Sequence, residues 1–285
     1  MRMRKLAIMA LSVVLISVMA IGGSLAYFTD TVTNANNVIT AGSVQIEQIE
    51  LQRSDDGIAL ESYELNKPCY PAHALSDTSY TPSEQFYWGA YTSTEDDYNL
   101  LWNDDALSGV IDKFVFVKNI GASQAYCRTL IALECPDNVT YGTTYSESVD
   151  IMLNLNNEGI QWTTLADKIT IDGTQYQVMV ATYIDTVKAG ETSMPSLLQV
   201  VMTDNATNRE VLAMGDTYEI LVMTQACQTT TFIDAENVAD DAKAANALNK
   251  CFAEINTGTV TGWFNTVLHP EAATSEAATQ SQELQ

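Results

Sequence analysis

From Gly109 onward the chain is a succession of short apolar runs, and no feature of the sequence constrains the fold more. "VIDKFVFVKN" puts Phe114 and Phe116 on one face of an extended segment and Val115 and Val117 on the other, so both faces are apolar. "SQAYCRTLIALE", "KITIDGTQYQVMVATYI", "SLLQVVMT" and "TYEILVMTQACQ" follow, punctuated by Gly, Asp and Pro. Strands that bury both faces need a layer on each side. The expectation is therefore an all-β fold with minor α, a β-sandwich or jelly roll, with one or two surface helices and a long inserted loop region. Asp172-Gly173, between Ile171 and Tyr176, is the signature of a tight primed hairpin turn. Upstream, "VQIEQIEL" alternates and then shifts phase between Ile46 and Ile49, which predicts a half-buried strand with a bulge.

One segment has a helical period. In "DAENVADDAKAANALNKCFAEINTG", Val238, Ala242, Ala245, Leu248, Phe252 and Ile255 recur every three or four residues, Asp234 is placed to cap the start and Gly258 to close the end. Glu236, Asp240, Asp241, Lys243 and Lys250 form the opposite, polar face, so the helix packs one-sidedly, with Trp263 and Phe264 buried beside it. Residues 53–109 read as an inserted excursion within a domain spanning 43–268. Phe86, Tyr87, Trp88, Tyr91 and Trp102 make this excursion too aromatic for a disordered linker, and predict that it folds back on the body; a sugar-binding platform is the alternative. Residues 269–285, rich in Ala, Ser, Thr, Gln and Glu, read as a disordered tail.

The first 26 residues have the parts of a secretory signal: Arg2, Arg4 and Lys5, an apolar run from Leu6 to Ile21, and the small residues Ser24 and Ala26. The cut is expected between Ala26 and Tyr27, and contact with a membrane only in the precursor. All 36 acidic residues lie beyond Ala26 and three of the 13 basic residues before it, so the chain from Tyr27 onward has a net charge of −26. That charge disfavours nucleic acid and anionic lipid as partners, because both need a cationic face. It also predicts self-repulsion between copies until acid or cations screen it.

Five cysteines are an odd number for an exported chain, and none forms a CxxC pair. Cys127 and Cys227 both lie in strand-like runs and are placed to face each other in a sheet, which makes them the candidate disulfide. The two histidines, His73 and His269, stand in unrelated loops, so the helical zinc-peptidase arrangement is absent and no catalytic residue is assigned. No cofactor is expected. The acidic clusters Asp55-Asp56, Glu95-Asp96-Asp97 and Asp104-Asp105 offer calcium its preferred oxygen ligands, but without the spacing of a dedicated calcium loop they read as solvated loops.

"GGSLAYFTDTVTNANNVITAGSVQI" resembles the start of the TasA/camelysin family of exported Gram-positive proteins, through Gly22, Gly23, Ala26, Tyr27, Phe28, Thr29, Asp30, Thr40, Ala41 and Gly42. "FVFVKNIGASQAYCRTLIALE" and "GDTYEILVMTQACQTTTFIDAENVADDA" resemble later stretches of the same family. The resemblance implies a jelly roll, export, and a secreted subunit of extracellular biofilm matrix fibres. Residues 27–42 would then be a donor segment, with Tyr27, Phe28, Thr29, Asp30 and Val32 inserting as a strand into a second copy, and with other matrix proteins as further partners; the alternative is that Tyr27 to Asn37 is a flexible leader or the domain's own first strand. A camelysin-like metallo-endopeptidase and a monomeric surface adhesin are the alternatives. The family motif supplies no metal ligand or base here.

Overall fold

The computed structural model describes residues 29–33, 44–53, 60–62, 87–88, 91–92, 109–144, 146–203, 205–206, 218–229 and 239–269. Among the described residues the fold is all-β with two helices. In chain order the strands are β1 (Thr29–Thr33), β2 (Ile46–Arg53), β3 (Leu60–Ser62), β4 (Tyr87–Trp88), β5 (Tyr91–Thr92), β6 (Gly109–Asp112), β7 (Phe114–Asn119) and β8 (Ala125–Glu134). They continue with β9 (Tyr141–Gly142), β10 (Ile151–Leu155), β11 (Ile160–Thr164), β12 (Ile169–Ile171), β13 (Thr174–Tyr183), β14 (Leu197–Met202) and β15 (Ile220–Gln228). The helices are α1 (Asp240–Phe252) and α2 (Thr257–Leu268).

The principal sheet runs β1-β15-β8-β13-β11, with β12 also on β13, and every pairing in it is antiparallel. Two smaller sheets, β3-β2-β7 and β6-β14-β10-β9, face it. β6 runs into β7 through Lys113, and backbone bonds from Lys113 to Leu198 (2.9 Å), Ser196 to Val115 (2.8 Å) and Ser193 to Val117 (2.7 Å) knit them into one layer. A small β4–β5 hairpin is the part of the 53–109 excursion described between β3 and β6.

β8 shows why the apolar runs were uninterrupted. Cys127, Ile131 and Leu133 enter the core between the β layers, whereas Tyr126, Leu130 and Ala132 face the helices. Each fully buried Leu or Ile contributes roughly 1.5–3 kcal/mol of transfer free energy, which favours a strand covered on both sides. β7 is two-sided in the same way: Phe114 and Phe116 pack with Leu198, while Val115 and Val117 enter the interlayer core. The predicted turn is present. Asp172 (φ 50°) and Gly173 (φ 86°) take the left-handed conformations of a primed turn between Ile171 and Thr174, which are paired in the ladder.

Two expectations need correction. β2 keeps an unbroken register against β7, from Ile46 opposite Asn119 to Leu51 opposite Phe114, so the phase shift marks no bulge. Instead the strand turns polar residues inward: Glu50 and Gln52 are buried, Lys113 pairs with Glu50, and Gln48 binds Glu50 (2.6 Å) and the hydroxyl of Thr224 (3.0 Å). Polar groups hydrogen-bonded to one another replace the apolar side chains on which the alternation test relies.

The single helix closed by Gly258 is two helices. α1 ends at Ala253, where φ reaches 75°, and Gly258 lies in the first turn of α2, which Asn256 opens with a capping box involving Thr259. The buried face of α1 is Ala244, Ala247 and Leu248, rotated from the expected Ala242 and Ala245. Asp234 and Val238 lie outside the described residues.

Candidate functional site

β15 pairs with β8 along its whole length, from Ile220 opposite Leu133 to Gln228 opposite Ala125. Its residues Val222 to Cys227 are all buried. Alternation sends Val222 and Ala226 into the interlayer core, and Met223 and Cys227 toward the helices. A strand so enclosed cannot leave the polar groups of its free edge unpaired at low cost. β1 meets that requirement. It pairs antiparallel over five positions, Thr29 opposite Cys227, Asp30 opposite Ala226, Thr31 opposite Gln225, Val32 opposite Thr224 and Thr33 opposite Met223. β1 is thereby the terminal strand of the principal sheet. Of the predicted donor residues, Thr29, Asp30 and Val32 belong to β1, while Ala26, Tyr27 and Phe28 lie outside the described residues.

Behind the helix-facing side of β15 lies a cation that sequence reasoning did not single out. Arg128 on β8 is fully buried. Its Nε donates to Gln225 Oε1 (2.8 Å), Nη1 to Asn249 Oδ1 (2.7 Å) and Nη2 to the carbonyl of Ala253 (3.3 Å). The guanidinium stands 5.1 Å from the ring centre of Trp263 and 5.8 Å from that of Phe252. One side chain therefore ties together β8, β15, the end of α1 and the body of α2. Burial pushes its pKa down to about 10, an effect that the neighbouring Cys227 and Cys251 partly oppose.

The disulfide expected between Cys127 and Cys227 is not formed, and the sheet register explains why. Cys127 lies opposite Ala226 and Cys227 opposite Tyr126, so the two cysteines are one register position apart. In a strand, one position is one face. Cys127 enters the interlayer core, whereas Cys227 packs under α1 with Ala244, Ala247 and Leu248, and half-buried Cys251 packs against that cluster. All four described cysteines are free thiols. The Cys227 and Cys251 thiols hydrogen-bond each other. This bond and burial push the pKa of Cys227 up, and the same bond, helped by Arg128, holds that of Cys251 below the ordinary thiol value.

Elsewhere, Glu134 and Glu219 meet at the opposite end of β15 from β1, where Glu134 accepts from the backbone N–H of Glu219 (3.0 Å) and Tyr176 bonds Glu219. Burial raises the pKa of the Glu134 carboxyl above its ordinary value. His269 binds Asp172 at the surface through Nε2 (2.8 Å). Among the described residues no group of three or more His, Cys, Asp or Glu is placed to hold a metal ion. His73 and the acidic clusters considered for calcium lie outside the described residues. Also among the described residues, no helix is long and apolar enough to cross a membrane. Compared with family models, curated proteins and solved structures, the chain finds no match.

Proposed function

We propose that the protein is a secreted structural subunit that assembles into extracellular matrix fibres, each copy donating its N-terminal segment as a strand to the next. On this reading the body is a jelly roll, residues 1–26 are removed on export, and the cut after Ala26 frees residues 27–42. The observation that carries the proposal is the β1–β15 ladder: a strand near the chain's start closes the edge of a doubly buried acceptor strand. The same five pairings are available to a second copy, since strand addition depends on main-chain hydrogen bonds that any matching segment supplies. The resemblance of the junction sequence to the TasA/camelysin family supports the same reading.

The test is electron microscopy of the mature protein, beginning at Tyr27, beside a variant lacking residues 27–34, with millimolar calcium or mild acid to screen the charge. Fibres from the mature protein and none from a variant that stays folded by circular dichroism are expected. Fibres that persist without the segment would overturn the proposal, as would a mature protein that stays monomeric throughout.

A further inference from the structure

We infer that Cys227 and Cys251 are a redox pair that closes to a disulfide when the protein meets an oxidising disulfide, stapling α1 to the strand that carries β1. The inference does not depend on fibre assembly. Cys227, on β15, and Cys251, in the last turn of α1, meet in one apolar cluster with Tyr126, Ala244 and Leu248. Both are thiols within hydrogen-bonding reach of each other, and the Arg128 guanidinium acts electrostatically on both. The arrangement divides the roles. Cys251 is half-buried, is hydrogen-bonded and lies near a cation, so it is the thiol that ionises and meets reagents first. Cys227 is fully buried, in the cluster against which Cys251 packs.

The chemistry balances with a small-molecule disulfide as oxidant. The Cys251 thiolate attacks one sulfur of the oxidant, forms a mixed disulfide and expels one thiolate. Cys227 then loses its proton to that thiolate, attacks the Cys251 sulfur and expels the second thiolate. Two electrons pass to the oxidant, which leaves as two thiols. The new bond joins the C-terminal turn of α1 to the residue opposite Thr29, where the β1 ladder begins. It therefore fastens the helix cover to the acceptor strand without touching the ladder itself.

The experiment treats the full mature chain with oxidised glutathione at mildly alkaline pH, quenches it with acid and maps its peptides. A linked pair of peptides containing Cys227 and Cys251 is expected. It should survive Cys127→Ser and disappear in Cys251→Ser. The unfolding midpoint should fall by roughly 5–10 °C when the oxidised protein is reduced, given the length of chain that the bridge closes. Both thiols remaining free at saturating oxidant, Cys227 joined to any other cysteine, or an unchanged midpoint would each overturn the inference. The wild-type map needs no substitution, so a variant that fails to fold leaves the result decisive.

Discussion

Replacing Arg128 with alanine should be among the most damaging single changes to this fold, and the damage can be worked from its surroundings. Lowering the guanidinium pKa from 12.5 to about 10 means that burial disfavours the charged form by about 3 kcal/mol at neutral pH. Against this stand hydrogen bonds to Gln225, Asn249 and Ala253, at roughly 1.5–3 kcal/mol each for a charged donor, and two aromatic faces at about 1 kcal/mol each. Alanine removes these favourable contacts together with the desolvation cost, leaves three acceptors unsatisfied and opens a void where the stem was. A loss of roughly 4 kcal/mol is expected, as for other buried charges stripped from their partners. Arg128→Met fills the void and also removes the cation, so it should cost about half as much. Because the folded pKa lies below the unfolded one, the cost of the charged arginine is fully present below pH 10 and is relieved only as pH rises through that value. The losses should therefore not vary with pH in the ordinary working range. Urea denaturation of the reduced protein, followed by far-ultraviolet circular dichroism, measures all three chains. An alanine variant within about 1 kcal/mol of wild type, or a methionine variant as damaged as the alanine one, would refute the view that this side chain binds the helices to the sheet.

Two smaller effects follow from local geometry. Gly173 has φ 86° and open space where a Cβ would sit, so Gly173→Ala should cost only the backbone strain, about 1–2 kcal/mol by denaturant titration. The folded pKa of Glu134 is raised, so its contribution to stability is present below the unfolded value of 4.5 and is lost as pH rises through the folded one. Glu134→Gln should accordingly raise the thermal midpoint at pH 7 and leave it nearly unchanged at pH 4, a pattern that melts at the two pH values would read directly.

The parts of this fold that were legible in the sequence are those specified by neighbours along the chain. The two-sided burial of Phe114 to Val117 follows from their own composition, and the turn at Asp172-Gly173 from the left-handed conformations it demands. Register is different, because it is decided by residues far away. β8 and β15 meet across about a hundred positions, and a displacement of one residue would have put Cys227 on the face of Cys127. The inward Gln48, Glu50 and Gln52 were hidden for a related reason: the pattern test equates inward with apolar, and here Thr224 partners Gln48, Lys113 partners Glu50 and Glu61 partners Gln52. Arg128 carried no local mark at all. Its partners come from residues 225, 249, 252, 253 and 263, and only the packing of two helices on the sheet brings them together.

The same asymmetry bears on how the proposed strand donation would be controlled. β15 is fixed by nine pairings to β8 and by packing on both faces, whereas β1 holds it by five pairings on one edge. Exchange would therefore move the donor and leave the acceptor standing. The ladder lost within one copy is regained in the next, so main-chain hydrogen bonding contributes little to the balance. Tethering contributes more: ten residues separate Thr33 from Val44, and a linker of that length holds its end at an effective concentration on the order of millimolar. Repulsion acts in the same direction, since copies with 36 acidic and ten basic residues from Tyr27 onward resist approach. Both terms favour the closed monomer, and both weaken under conditions that can be set outside the molecule, as local concentration rises and as cations or protons screen the charge. The Cys227–Cys251 staple would leave either term unchanged. Its effect would be to keep the acceptor edge in shape during the interval when β1 has left and no other strand has arrived.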